Sequence, residues 1–430
     1  MPPREDLAAE RCRRSAVRDE VIHLPRVTDT PGSRGSRIAV LIVQYLAENS
    51  GSWQVLRNLL ERLDPGEFRI VLVLPEKGEV GGTVPSHVAI RYSRIPRLRA
   101  RGGFAYLAGL LFAGVRSILD LRRIIRHEGI DIVHCNSLPN VFAALAAVST
   151  GRVLVWHVHE LEFRPRVVFG ALVWLCGRLA DRIVCVSKGV RDLFGGSPKA
   201  VLIYNGIDVN RFRPDAASGG RDGYGWIGVR QDAFVVTQLG RIVPIKGVEW
   251  FIALAEAFVA RQVSGVESVR FVLVGGLIAG HEEYFSAMLR RMDSSPARDH
   301  LIYVPALDDP LAILAATHVL VQSSVIAESF GRNLVEAMAM GKPVLASPMG
   351  GPAEIIRDGI DGFLVSPRDV QRRADILEEL FRDRPRLARL GAAARGRAYG
   401  NFSADRMASD VCGLYRSLCA STAGVVSRAR

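Results

Sequence analysis

Apolar residues in this chain come in two alternating arrangements: short unbroken runs, and longer stretches with a helical period. Residues 38–43 (Ile-Ala-Val-Leu-Ile-Val) form such a run, rich in β-branched side chains, as a strand covered on both faces requires. Residues 53–63 instead carry apolar side chains at 53, 55, 56, 59, 60 and 63, one stripe of a helix. The same reading predicts strands at 68–74, 88–92, 130–135, 153–158 and 182–186, and helices at 104–127, 141–149 and between the last two strands. A Gly-, Asp- and Ser-rich stretch at 215–230 then interrupts the pattern, which restarts beyond it. Strands are expected at 234–239, 269–274, 301–304, 318–322 and 343–346, and helices at 247–261, 283–293, 309–316, 332–340 and 370–387. Strand alternating with helix implies a doubly wound parallel sheet, and the restart implies two of them in tandem. A late helix at 404–418 lies beyond the second sheet's last strand and is expected to pack across both halves.

The resulting organisation is a poorly ordered, Arg/Pro/Gly/Ser-rich extension (1–36), a first Rossmann-like domain (37–214) and a connection (215–230). A second Rossmann-like domain (231–400) follows, then a helix crossing back with its tail (401–430). Length agrees, since 430 residues at about 100–200 per domain give two or three domains. With 49% hydrophobic and 23% charged residues, the composition excludes a disordered or fibrous chain. The N-terminus has no apolar core and does not read as a signal peptide. The longest uncharged apolar stretches, 102–115 and 167–177, fall short of the roughly 18 residues a spanning helix needs. A cytoplasmic protein, soluble or peripheral on the inner face of a membrane, is expected. The six cysteines, at 12, 135, 176, 185, 412 and 419, form no CxxC pair and read as reduced thiols. Net charge is +12, which suits an anionic partner without choosing between nucleotide, nucleic acid and acidic lipid. Only five of the 56 basic residues are lysine, so each lysine near a motif carries extra weight.

Four constellations carry chemistry. The segment Glu328-Ser-Phe-Gly-Arg-Asn-Leu-Val-Glu336 puts one carboxylate in a loop and a second inside the helix that the loop enters. A helix N-terminus offers free N–H groups to an anion, and a carboxylate beside it suits the hydroxyls of the same ligand. The pair reads equally as a solvated loop acid and a helix-dipole acid. Gln238-Leu-Gly-Arg-Ile-Val-Pro-Ile-Lys-Gly247 places Arg241 and Lys246 in a loop between strand and helix, a cradle for a diphosphate or an ordinary loop with two solvated cations. It fits neither the Walker A spacing nor GxGxxG. In Val155-Trp-His-Val-His-Glu-Leu161, a strand runs out into a loop, and His157 and His159 share one face. These histidines read as a structural pair or as substrate-facing, and a metal would need a third ligand that is not evident. Tyr204-Asn-Gly-Ile-Asp208 is by itself a turn.

Together these motifs resemble the retaining GT-B glycosyltransferases of family 4 (glycosyl transferases group 1). The resemblance runs from Arg37 to Asn401 and is strongest over 234–365. That stretch holds Gly240-Arg241, Lys246-Gly247, Val274-Gly275-Gly276, the Glu328/Glu336 pair, Gly341-Lys-Pro-Val344, Gly350-Gly351, Glu354 and Asp361-Gly362. It implies a GT-B fold, two Rossmann-like doubly wound parallel-sheet domains facing across a cleft. Arg241 and Lys246 match the pair that binds the donor diphosphate, Glu336 the acid that holds the ribose, and Glu328 the acid beside the donor sugar. His159 matches the histidine that reaches the reaction centre. Backbone N–H groups near Phe330 and Gly331 would help bind sugar or phosphate, and Ser187 and Asn205 match positions lining the cleft. The family's first loop usually holds two adjacent glycines. Here it reads Glu48-Asn-Ser-Gly-Ser52, with Gly51 alone to approach the diphosphate.

The implied activity is transfer of a sugar from a nucleotide-sugar donor, a UDP- or GDP-sugar, to a hydroxyl acceptor. The donor is a substrate, no cofactor or metal is required, and configuration is retained. Between 91 and 127 the sequence holds nine arginines and one acid, Asp120, around the apolar stretch 104–115. That segment reads as contact with an anionic membrane surface, suiting a lipid-linked or polysaccharide acceptor, or as a core helix with solvated arginines. Two alternatives share the fold: a decayed binding module at a membrane, and a sugar-nucleotide epimerase. No nucleic-acid-binding signature is present.

Overall fold

The computed structural model describes residues 37–46, 50–75, 84–97, 104–214 and 223–428. The extension 1–36 and residues 215–222 of the expected connection lie outside the described residues. The first half runs β1 (Ile38–Gln44), α1 (Gly51–Leu60), β2 (Phe68–Leu74), β3 (Ala89–Tyr92), α2 (Phe104–His127), β4 (Ile132–Asn136), α3 (Val141–Ser149), β5 (Val153–Val158), α4 (Arg166–Leu179), β6 (Arg182–Cys185), α5 (Lys188–Asp192) and β7 (Ala200–Leu202). The second half begins with α6 (Gly223–Trp226), β8 (Phe234–Leu239), α7 (Val248–Val259), β9 (Val269–Val274), α8 (Glu282–Ser294), β10 (Leu301–Val304) and α9 (Leu311–Ala316). It continues with β11 (Val319–Val321), α10 (Arg332–Ala339), β12 (Val344–Ala346), α11 (Pro352–Ile355), β13 (Gly362–Leu364), α12 (Val370–Arg382) and α13 (Arg384–Asn401). A long helix, α14 (Ala404–Arg428), closes the described chain.

The strands form two parallel sheets, ordered β3-β2-β1-β4-β5-β6-β7 and β10-β9-β8-β11-β12-β13. In each, the chain steps outward from a central strand and then returns to that strand's other side. Crevices for ligands therefore open at the carboxyl ends, between β1 and β4 and between β8 and β11. Register sets which side chains meet there: Gln44 pairs with Asn136, and Asn136 with His157. The unbroken apolar runs are strands covered on both faces, with Leu41 and Val43 buried on one side of the first sheet and Val40 and Ile42 on the other.

Two of the helices differ from the pattern reading. The expected helix over 370–387 is two helices, α12 and α13. Pro385 has no N–H to bond the Phe381 carbonyl and its ring would clash there, so α12 cannot run on through it; Asp383 ends α12, and its carboxylate accepts the Arg386 amide at 2.8 Å to start α13. The buried residues of α13 are Leu390, Gly391, Ala394 and Ala398, too small to print an apolar stripe. The late helix does not bridge the halves: Met407, Val411, Tyr415 and Leu418 of α14 are buried in the core of the first sheet alone.

The chain crosses between lobes twice, and the two crossings lie side by side. The Ile207 amide donates to Phe402 O (2.9 Å), and the Ala404 amide to Ile207 O (2.8 Å). Tyr204, Phe330 and Phe402 pack around this seam with ring centroids 5.4–6.3 Å apart. Among the described residues no helix is long and apolar enough to cross a membrane.

Candidate functional site

In the second lobe, β8 delivers Gly240 and Arg241 to the crevice, and a 3-10 turn over Pro244–Lys246 brings Lys246 back across it. Gly247 ends that turn in the left-handed region (φ 59°), and a Cβ there would run into the Ser323 carbonyl. Glycine thus lets the Lys246 turn lie directly against the tip of β11. The resulting depression is lined by Gln238, Gly240, Arg241, Lys246, Gln322, Ser323, Ser324 and Asn333. Asn333 ties the start of α10 to β8 by donating to Leu239 O at 2.8 Å.

Charge is concentrated here. Lys246 Nζ pairs with Glu328 Oε1, which also accepts from the Ser324 hydroxyl. Glu336 is buried, and Arg332, one turn earlier on α10, holds its Oε1 at 2.6–2.7 Å. Arg241 is exposed at the rim, with no ion pair or side-chain hydrogen bond among the described residues. Gln238 Oε1, both side-chain polar atoms of Gln322 and Arg332 Nη1 are buried without a partner. Buried polar atoms ordinarily have one, so four without a partner in one cluster call for an explanation. The Glu328–Phe330 loop is held from behind: the Gly351 amide donates to Glu328 O (2.8 Å), and a Cβ on Gly351 would collide with Phe330.

In the first lobe, His159 Nε2 lies 2.8 Å from Asn136 Oδ1, Asn136 Nδ2 donates to Gln44 Oε1 (2.6 Å), and Gln44 Nε2 donates to Leu46 O (3.0 Å). Because the Asn136 amide gives its protons to Gln44, its oxygen accepts. His159 therefore carries its proton on Nε2 and keeps a bare lone pair on Nδ1. Burial pushes His159 down to about 3, so the ring is neutral at pH 7. His159 stacks on His157 (4.2 Å), His157 meets His134 edge-on (5.3 Å), and His134 Nδ1 lies 2.7 Å from the Tyr415 hydroxyl of α14. His157 is buried inside this column; His159 is the member at the rim.

Residues 49–211 match the family model described as Glycosyltransferase Family 4, and residues 227–397 the one described as Glycosyl transferases group 1. D-inositol 3-phosphate glycosyltransferase 1 of Catenulispora acidiphila is 30% identical over 311 residues, 67% of this chain and 72% of that one. The chain belongs to this glycosyltransferase family. The match to D-inositol 3-phosphate glycosyltransferase of Frankia alni is 32% identical but spans about half of each protein, 49% of this chain and 51% of the relative. Among solved structures, Anabaena HepE in complex with UDP and glucose superposes with a TM-score of 0.73 at 23% identity, covering 89% of this chain and all of that one. Sucrose-phosphate synthase of Thermosynechococcus elongatus gives 0.71 at 19% identity, covering 90% and 100%. These likenesses show the chain's fold, the GT-B pair of facing Rossmann-like domains.

The remaining motif residues have local duties. Ser187 is buried, and its hydroxyl caps α5 by accepting the Val190 amide at 3.2 Å. Asn205 is buried at the seam with its Oδ1 unpartnered. Gly51 opens α1 on the surface, with clear space where a Cβ would sit, and the Ser50 hydroxyl caps the helix beside it. The ring of Phe330 is buried in the seam, so only its backbone faces the α10 entry. The sequence reading missed Gln44 and Asn136, whose meeting depends on register between strands far apart in the chain. It also missed Glu160, half-buried, whose carboxylate accepts the Leu138 and His159 amides (3.0 and 3.1 Å) and is pushed up by desolvation. Glu354 spans the lobes: from α11 its carboxylate accepts the Lys188 and Gly189 amides (2.7 and 3.1 Å) and the Tyr204 hydroxyl (3.1 Å). Among the described residues, no group of three or more His, Cys, Asp or Glu is arranged to hold a metal ion.

Proposed function

We propose that the chain transfers a sugar from a UDP- or GDP-sugar to a hydroxyl acceptor, retaining configuration. The observation that carries this reading is the cluster at the carboxyl ends of β8 and β11 and the start of α10: three cations, two carboxylates and buried amide atoms without partners. Anabaena HepE, of the same fold, has been crystallised with UDP and with UDP-glucose, and such a ligand has the chemistry that this cluster lacks.

In this mechanism the donor diphosphate displaces Glu328 from Lys246 and lies between Lys246 and Arg241. Glu328 turns to the hydroxyls of the sugar. The Glu336 oxygen not held by Arg332 takes the ribose hydroxyls. His159 accepts a hydrogen bond from a sugar hydroxyl on its bare Nδ1, the one orientation that its Asn136 contact leaves. As the bond from C1 to the phosphate oxygen breaks, the growing negative charge meets the two cations, so the step needs no metal ion. The acceptor oxygen bonds to C1 on the same face and gives its proton to the departing phosphate. Ser187 supports the cleft wall by capping α5, Asn205 lies at the seam beside it, and Gly51 with the α1 N-terminus faces the diphosphate from the first lobe.

The acceptor reading is a lipid-linked or polysaccharide glycan at the cytoplasmic face of an anionic membrane. Its support is the outer surface of α2–α4, where Phe112 is 74% exposed and Val167 84%, with Leu111, Val115 and Trp174 also exposed among Arg116, Arg123 and Arg178. Arg91 is not part of that charge, because it pairs with Glu128 at 2.7 Å. Calorimetric titration with UDP, GDP, ADP and their sugar conjugates in EDTA tests the donor site. Selective binding weakened by Lys246→Ala and Glu336→Ala is expected; no nucleotide binding at all would sink the reading.

A further inference from the structure

Arg373, on α12, is fully buried. Its Nη1 donates to Ser323 Oγ (3.2 Å), its Nη2 to Gln322 O (3.1 Å) and Val365 O (2.8 Å), and its Nε to Val365 O (3.2 Å). Every one of these partners is neutral. No carboxylate lies within ion-pair reach of it among the described residues. The acid that influences it is Asp369, an exposed residue one turn earlier on the same helix. Burial lowers it to about 9, which leaves it protonated at pH 7. The surrounding α12 residues, Ala374, Ile376, Leu377 and Leu380, are apolar core. A buried charge without a counter-charge is costly, and an aliphatic side chain of similar size in such a place is often neutral or stabilising.

Its location gives the charge a use. Gln322 and Ser323 form the tip of β11 and line the depression that holds Lys246. Ser323 Oγ accepts from Arg373 and so keeps its own proton to donate. We propose that Arg373 is a positioning residue for the donor. It supplies positive potential through the floor of the depression and fixes the β11 tip, strengthening binding of the nucleoside diphosphate and stabilising it as it leaves. This rests on the donor-site reading above. Three cations then surround the diphosphate: Arg241 at the rim, Lys246 in the turn, and Arg373 sealed beneath. Because Arg373 is sealed, salt does not screen it as it screens Arg241.

The test compares the wild type with Arg373→Met, Arg373→Gln and Arg373→Lys, the Gln variant keeping a donor for Val365 O in case the Met variant does not fold. UDP binding is measured by calorimetry, uridine binding by NMR, and thermal midpoint alongside. A unit charge about 10 Å away at an effective dielectric near 20 changes affinity roughly tenfold. The expected result is a loss of about tenfold for UDP in the Met and Gln variants, undiminished at raised salt. Uridine binding is unchanged, the midpoint is equal or higher, and Lys restores much of the UDP affinity. Wild-type UDP affinity in the Met and Gln variants would overturn the role of Arg373 alone, as would parallel losses of UDP, uridine and stability. A wild type that binds no nucleoside diphosphate would overturn the donor site and this inference together.

Discussion

At the tips of β1, β4 and β5, Gln44, Asn136 and His159 are uncharged and joined in one chain of hydrogen bonds, while the Glu160 carboxylate is turned back onto the Leu138 and His159 amides. At the tips of β8 and β11 and the start of α10 stand Lys246, Arg241, Glu328, Arg332 and Glu336, with Arg373 beneath. The two sheets share a winding pattern, so topology does not set this difference; the strand-end residues do. A neutral, pre-hydrogen-bonded edge orients hydroxyls without attracting ions. A charged edge whose own ion pair must open suits a ligand that brings charge with it. On the proposed reading, the first lobe directs and the second holds.

Removing Lys246 tests the contrast most severely. Lys246→Ala deletes one charge from the charged edge and strands Glu328, and turnover of the donor is expected to fall about 10³-fold. A fall of less than tenfold in steady-state assays would mean that the second edge does not work through charge.

Acid should attack the lobes unequally. His134 and His159 are both held at about 3 by burial, below the ordinary value near 6.5. Between those values the unfolded chain binds more protons than the folded one, so stability falls as pH drops from about 6.5 toward 3. At pH 5 the two histidines together cost about 2–4 kcal/mol. Hydrogen exchange at pH 5 is expected to show protection lost first in β1, β4 and β5; loss beginning in β8 and β11 would reverse the comparison.

Charging the neutral edge sharpens it further. Asn136→Asp removes the donor to Gln44 and sets a carboxylate on His159, costing about 1–3 kcal/mol and raising the His159 pKa. NMR titration of the ring reads this directly, and a His159 that still titrates near 3 would refute the assigned contact. The smallest effect is expected at the clasp. Tyr204→Phe removes one of the three donors to Glu354 and should lower stability by about 0.5–1.5 kcal/mol, measured by denaturant melts.

The charged edge was legible in the sequence because its residues sit close together in two strand–loop–helix segments, 238–247 and 328–336. The neutral edge was not: Gln44, Asn136 and His159 come from three strands, and only the parallel register brings them together. The strand-end position leaves His157 and His159 together, and only the family resemblance singles out His159, without the contacts that fix its proton. Gly350 and Gly351 were visible as a motif, but their reason, close backbone packing behind Glu328 and Phe330, is a tertiary fact. Most strands and long helices followed from apolar period alone. The misses were β7 and β13, three residues each, the short helices α5, α6 and α11, and α13, whose buried face is mostly alanine and glycine.

The helix α14 lies on the sheet made first, covering His134 and Phe68 with Tyr415, yet it is translated after the entire second sheet. On the ribosome, the second lobe can finish its core while the first still exposes an apolar face. The order of completion is therefore the reverse of the order of synthesis, and the earliest strands wait longest for their cover.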